Sequence, residues 1–181
     1  MYEVVVDELS ECDDEPDDSE RNKRLFVSST TSVMHKYGFE VDFKRLPNDG
    51  WSAHTLQNQF LKTSEWITFL SSIDTTQFAK YAVTKRLHFN CHQFARWTPK
   101  RARYYFGDNK LTRGYFALRK RYKKFGGIIN FSKVVYAADH SKAVLYYSKS
   151  SDYEAGGGML VFLAKKANRW QVVGVRGLWI S

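Results

Sequence analysis

The stretch "HFNCHQFARW", His88 to Trp97, sets one cysteine among two histidines. A thiolate at Cys91 with an imidazole at His92 is the raw material of a hydrolase: the base takes the thiol proton, the sulfur attacks a carbonyl, and backbone donors hold the oxyanion. Neighbours in sequence do not supply that geometry by themselves. Cys91 and His92 therefore stand as catalytic candidates beside a plainer reading, a small apolar cysteine in the core. Zinc would need about four ligands at recognisable spacing. Cys12 is distant and His35, His54 and His140 are scattered, so no metal and no cofactor is expected.

Carboxylates offer less. After residue 20 the acids are spread over the chain, several in turn-like contexts, and apart from Asp152 with Glu154, in a loop-like run, no pair reads as placed for acid-base work. Glycosidase-like chemistry, which needs two carboxylates flanking one bond, finds no support in that pattern. The glycines of "DYEAGGGMLVFL" are no phosphate cradle either. A phosphate loop leads from a strand into a helix N-terminus, whereas Gly156, Gly157 and Gly158 lead into the apolar run "MLVFLAKK", and no Lys-Ser or Lys-Thr pair follows. A flexible strand entry with a bulge is the expectation.

The charge pattern is more informative. Net charge is +9, yet residues 1 to 20 hold ten acids and no Lys or Arg, which leaves the remaining 161 residues at +19. Between Lys80 and Lys124 there are fourteen basic residues and one acid, Asp108. Such a block attracts anions. The candidate anion- or partner-binding residues are Lys100, Arg101, Arg103, Arg113, Arg119, Lys120 and Arg121, interleaved with Tyr104, Tyr105 and Tyr115. Cations with rings among them suit phosphates and stacked bases, and cations alone suit an acidic protein surface. A solvated helix face, balanced by the acidic N-terminal segment folding back, is the competing reading; no recognised nucleic-acid motif is present.

These residues must be positioned by helices. Thr98 as N-cap, Pro99 at the first helical position and Gly107 past the end punctuate one helix over "TPKRARYYFG". From Lys110 to Lys124 the residues Leu111, Tyr115, Leu118, Tyr122 and Phe125 step by fours and threes, giving a second helix with one apolar and one cationic face. Earlier, Leu56, Phe60, Thr63, Ile67 and Leu70 share a helical face, with a break near Ser64. Asp74 and Gln77 form a capping box ahead of a short helix carrying Phe78, Ala82 and Val83. At the start, "YEVVVDEL" reads as a short strand able to pair with "RLFVSSTTSVMHKY" across an acidic mobile loop.

Beyond Gly127 the pattern changes to "IINFSKVVYAA", "KAVLYYSKS", "GGGMLVFLAKKA" and "RWQVVGVRGLWIS". These runs of branched and aromatic residues, separated by short turns, predict a four-stranded antiparallel meander. Apolar residues of both parities fill the middle of the strands, so either layers cover both faces or the sheet curves around a pocket.

The segment from Tyr122 to Ser181 resembles the end of a group of uncharacterised bacterial proteins, many described as lipoproteins. The resemblance rests on an aromatic helix end at Tyr122 to Phe125, then Gly127 to Ile129, Ser132 and Val134, and Ala143 to Tyr146. It continues through Gly156 to Gly158, Lys165 and Lys166, Trp170 and Val172, and Trp179 to Ser181. It implies the same meander and carries no assigned activity. "LSEC", Leu9 to Cys12, lacks the preceding apolar run of a lipoprotein cleavage site.

Length and composition fit one domain. A chain of 181 residues, 43% hydrophobic and 16% aromatic, can bury a core without staples, and its two cysteines make a disulfide framework unexpected. No run approaches a membrane span, and acids stand where a signal peptide would be basic and apolar, so a cytoplasmic location is the default. The expected organisation is an acidic, partly mobile segment over residues 1–24 and a single α+β domain over 25–181. In that domain helices precede the sheet, and Trp170 and Trp179 contribute to the core. The expected role is non-catalytic binding through the basic helices or a sheet pocket, with nucleic-acid binding and a Cys91/His92 hydrolase as alternatives.

Overall fold

The computed structural model describes residues 1–9, 22–30, 41–48, 56–79, 81–107 and 111–181. Among these residues its frame is an α+β arrangement of four α-helices and a mixed, open, seven-stranded sheet. The strands are β1 (Arg24–Ser28), β2 (Gln93–Trp97), β3 (Phe125–Phe131), β4 (Val135–Tyr136), β5 (Lys142–Ser150), β6 (Gly156–Lys166) and β7 (Arg169–Ile180). They lie in the order β2-β1-β3-β5-β6-β7, with β4 attached to β5. The expectation of a four-stranded antiparallel meander is thereby corrected. β3, β5, β6 and β7 pair antiparallel, but β1 pairs parallel to both β2 and β3, so the sheet is larger and mixed.

Both faces of this sheet are covered, which is why apolar residues occupy both parities. On one face Val144, Tyr146, Leu160 and Phe162 pack against Leu61, Trp66, Phe69 and Phe78. The last four come from α2 (Ser64–Ser71) and two flanking 3-10 turns, Leu56–Lys62 and Thr75–Phe78. On the other face Leu145, Tyr147, Val161 and Leu163 meet Val5 and Val6 of α1 (Tyr2–Leu9). Residues 2–9 are therefore helical, not a strand. Tyr2, Val5, Val6 and Leu9 fall on one side of a helix, and burial of the two valines outweighs the β preference of the Val run. The acidic loop expected after it, over residues 10–21, lies outside the described residues.

The elements that carry the basic residues pack at the β2 end. α3 (Pro99–Phe106) starts as its punctuation requires: Thr98 Oγ1 accepts from the Arg101 N–H at 3.3 Å, and Pro99 occupies the first turn. α4 (Leu111–Arg121) buries Tyr115 and Leu118 against Phe26, Trp97 and Ile128. Gly114 lets the two helices touch, because a Cβ there would strike the Phe106 ring and lie 2.6 Å from the Tyr105 carbonyl oxygen. The expected helix after Asp74 is only a 3-10 turn. Its capping box is present, with Asp74 accepting from the Thr76 N–H at 2.8 Å and Gln77 Oε1 accepting from the Asp74 N–H at 3.1 Å.

At the far end, Gly156 to Gly158 open β6, and the register shifts between Gly158 and Met159. Above Gly158 the Trp179 indole N–H donates to the Tyr146 hydroxyl at 2.8 Å. No helix among the described residues is long and apolar enough to cross a membrane.

Candidate functional site

β2 is an edge strand. Its odd-numbered backbone groups turn inward to β1 and the chain beside it: Asn22 N–H donates to Cys91 O, Gln93 N–H to Lys23 O, and Ser29 N–H to Trp97 O, each at 2.8 Å. Phe94 and Arg96 thus turn their backbone groups outward. Along this edge runs a cleft of about 550 Å³, lined by Arg24, Arg86, Arg96 and Arg101 together with Phe26, Phe94 and Tyr122. A second groove of about 470 Å³ is lined by Lys100, Arg101, Tyr104, Tyr105, Arg121 and Tyr122. Arg101 and Tyr122 belong to both, so the two hollows adjoin, and together they are termed the trough.

The cations of the trough are held by neutral groups. Arg101 Nη1 donates to the outward carbonyl of Arg96 at 2.7 Å, and Arg96 Nη2 to the Thr84 carbonyl at 2.6 Å. Arg24 Nη2 donates to Gln93 Oε1 at 3.1 Å. Three guanidiniums also sit near ring faces: Arg24 at 5.2 Å and Arg121 at 5.9 Å from the Tyr122 centroid, and Arg101 at 5.7 Å from that of Phe26. Contacts of this kind position a charge without neutralising it. Among the described residues no carboxylate forms an ion pair with Arg24, Arg86, Arg96, Lys100, Arg101 or Arg121.

Beneath the cations lies a chain of rings. Tyr104 and Tyr105 meet edge to face with centroids 5.0 Å apart, Tyr105 stacks on Trp97 at 6.0 Å, Trp97 meets Phe26 at 5.7 Å, and Phe26 meets Tyr122 at 5.0 Å. Burial first, then the neighbouring Tyr122 phenol, pushes the Tyr105 hydroxyl above the usual tyrosine range, so it stays neutral. A hydrogen bond to Tyr122 holds Arg121 above its ordinary value. Tyr105 thereby stays uncharged and Arg121 cationic at physiological pH.

The candidates named from sequence separate. Lys100, Arg101 and Arg121 line the trough; Arg103, Arg113 and Lys120 are exposed and line neither hollow. Arg119 is engaged elsewhere, 2.8 Å from Asp152 Oδ2 and 3.1 Å from the Ser151 carbonyl. Arg24, Arg86 and Arg96 were not among those candidates. Arg86 and Arg96 belong to the basic block, but Arg24 opens a strand and no local signal marks it. Of the acids in α1, Glu3 and Asp7 accept from the His88 and Asn90 backbone amides at 2.9 and 2.8 Å; the acids of residues 10–21 lie outside the described residues. Burial, opposed by the Asn90 amide and by His92, raises the Asp7 carboxyl above its usual range.

Cys91 is disulfide-bonded, so its sulfur is not available as a thiolate. A Cys91/His92 site would need that bond reduced first, and the bond itself departs from the expectation that a disulfide framework is absent. His92 lines the arginine cleft. Among the described residues no three His, Cys, Asp or Glu side chains are grouped to hold a metal ion. Comparison of the chain with models of known protein families, with curated proteins and with solved structures finds no match.

Proposed function

We propose that the chain is a non-catalytic binding domain whose trough along β2 receives a polyanionic ligand. The observation that carries this reading is the set of four arginines in the larger of the two hollows, each lacking a carboxylate partner among the described residues and three of them fixed by rings, carbonyls or an amide. A solvated helix face would leave such side chains free to move. Here Arg24, Arg96 and Arg101 are set in place before any ligand arrives, and ordering cost is avoided at binding. Arginine is also the side chain suited to bidentate contact with phosphate or carboxylate groups.

The test is calorimetric titration with inorganic polyphosphate at low and moderate salt. Wild type binds at low salt and weakens steeply as salt rises. A Lys100→Ala, Arg86→Ala, Arg121→Ala variant, built on three exposed side chains, loses most of that affinity, whereas Arg119→Ala and Arg113→Ala retain it. Absence of binding at low salt, or equal loss in all variants, overturns the reading.

A further inference from the structure

We infer that the polyanion is a single-stranded nucleic acid, with phosphates on the arginines and bases on the rings; this inference rests on the polyanion reading above. Charge alone does not choose among polyanions. The rings do, because stacking on an aromatic face is open to every base and useless to a carboxylate chain.

Tyr104 supplies the clearest surface. Its side chain is 80% exposed, yet it lies in the wall of the second groove, beside Lys100 and Arg121 and in edge contact with Tyr105. An exposed ring in a cationic groove is an unfilled stacking position. The trough passes from this ring-rich hollow, across the shared Arg101 and Tyr122, into the arginine-rich one. A flexible strand whose phosphates and bases alternate can use both kinds of wall at once. Five of the six trough cations are arginines, whose guanidinium planes also stack on bases.

A duplex fits less well. Reading a major groove takes a helix whose outer face protrudes far enough to reach base edges. α3 instead lies against the sheet, with Ala102, Tyr105 and Phe106 packed around Phe26 and Trp97. The binding surface is a hollow along an edge strand, and a hollow admits a single strand more readily than a stiff double helix.

Fluorescence anisotropy with a labelled oligothymidylate of about 12 nucleotides, a length within known single-strand site sizes, tests this. The comparisons are a hairpin duplex, polyglutamate and inorganic polyphosphate. If all six cations meet phosphates, the slope of log K against log salt is about −4, which is a loss of roughly 300-fold between about 50 and 200 mM salt. Removing Lys100, Arg86 and Arg121 lowers that slope to about −2. Tyr104→Ala weakens the oligonucleotide by roughly 5- to 150-fold and leaves polyphosphate unchanged. Phe116→Ala, which deletes another exposed ring that lines neither hollow, changes neither.

Equal binding of oligothymidylate and polyphosphate, with Tyr104→Ala silent, overturns the nucleic-acid assignment and leaves the polyanion reading standing. Preference for polyglutamate makes the ligand an acidic protein and does the same. Tighter binding of the hairpin overturns the single-strand assignment. Failure of every polyanion to bind at low salt overturns both.

Discussion

Alanine at position 158 should disturb the fold far more than its one added carbon suggests. Gly158 lies in the row of β6 that continues through Leu160 and Phe162, facing α2, and it pairs with Trp179 of β7. A Cβ at this point falls on Trp179 Nε1 and the Tyr146 hydroxyl and lies 2.7 Å from Trp179 Cε2. Neither neighbour is a free-swinging chain end. Tyr146 is 1% exposed, and the indole is tied to it by the 2.8 Å hydrogen bond. Overpacking at such a site costs about 1–3 kcal/mol. Displacing the indole from the phenol costs about 1 kcal/mol more, for a total of about 2–4 kcal/mol. For a chain of this size each kcal/mol moves Tm by about 2–4 °C, so Gly158→Ala should lower Tm by roughly 4–16 °C in a thermal melt followed by circular dichroism. The internal control is Gly157→Ala. There the nearest atom is the Trp179 carbonyl oxygen at 3.4 Å, an ordinary contact, and the removal of glycine freedom from the unfolded chain makes the change neutral or slightly stabilising. A Gly158→Ala melt within about 2 °C of wild type would refute the claim that this glycine exists to seat the indole.

Two further outcomes follow from buried groups. Because Cys91 is disulfide-bonded and the chain has two cysteines, unfolded but unreduced protein should gain no mass from iodoacetamide, and two adducts should appear once reductant is added; uptake before reduction contradicts the disulfide. Burial, then the nearby Tyr136 and Tyr81 phenols, pushes the Tyr2 phenol up to about 12, and burial raises Tyr147 as well. Both groups titrate higher folded than unfolded, so their contribution to stability is fully present below about pH 10 and is lost as pH rises toward and past the folded values. Absorbance at alkaline pH should accordingly show a tyrosine fraction that ionises only with unfolding, and complete ionisation of the native protein near pH 10 would contradict it.

What was legible in the sequence was local. Thr98, Pro99 and Gly107 bracket α3 because caps act within one turn, and the runs beyond Gly127 become strands because their neighbours in sequence are their neighbours in the sheet. The parallel pairing of β1 was not legible. Its partners Gln93 and Phe125 lie far along the chain, and nothing in "RLFVS" names them. The same distance hid part of the trough: Arg24 reaches Tyr122 only because β1 and β3 are adjacent. The Val run of α1 misled for a different reason, since its strand preference was overridden by a docking site that only the finished sheet provides.

The place of β1 inside the sheet also sets an order of assembly. Arg24 pairs on one side with Gln93 and on the other with Phe125, so a chain emerging from the ribosome carries Leu25, Phe26 and Val27 for about a hundred residues before both partners exist. When the complete chain refolds from the denatured state, hairpins such as β5–β6 and β6–β7 close over short loops and can form early, while the β2-β1-β3 end waits for contacts of high sequence separation. The hydrophobic β1 is exposed throughout that interval, a liability for aggregation during synthesis. In such refolding the trough, built at the junction of β1, β2 and the α3–α4 pair, is among the last parts to close, and ligand capture reports on that late step.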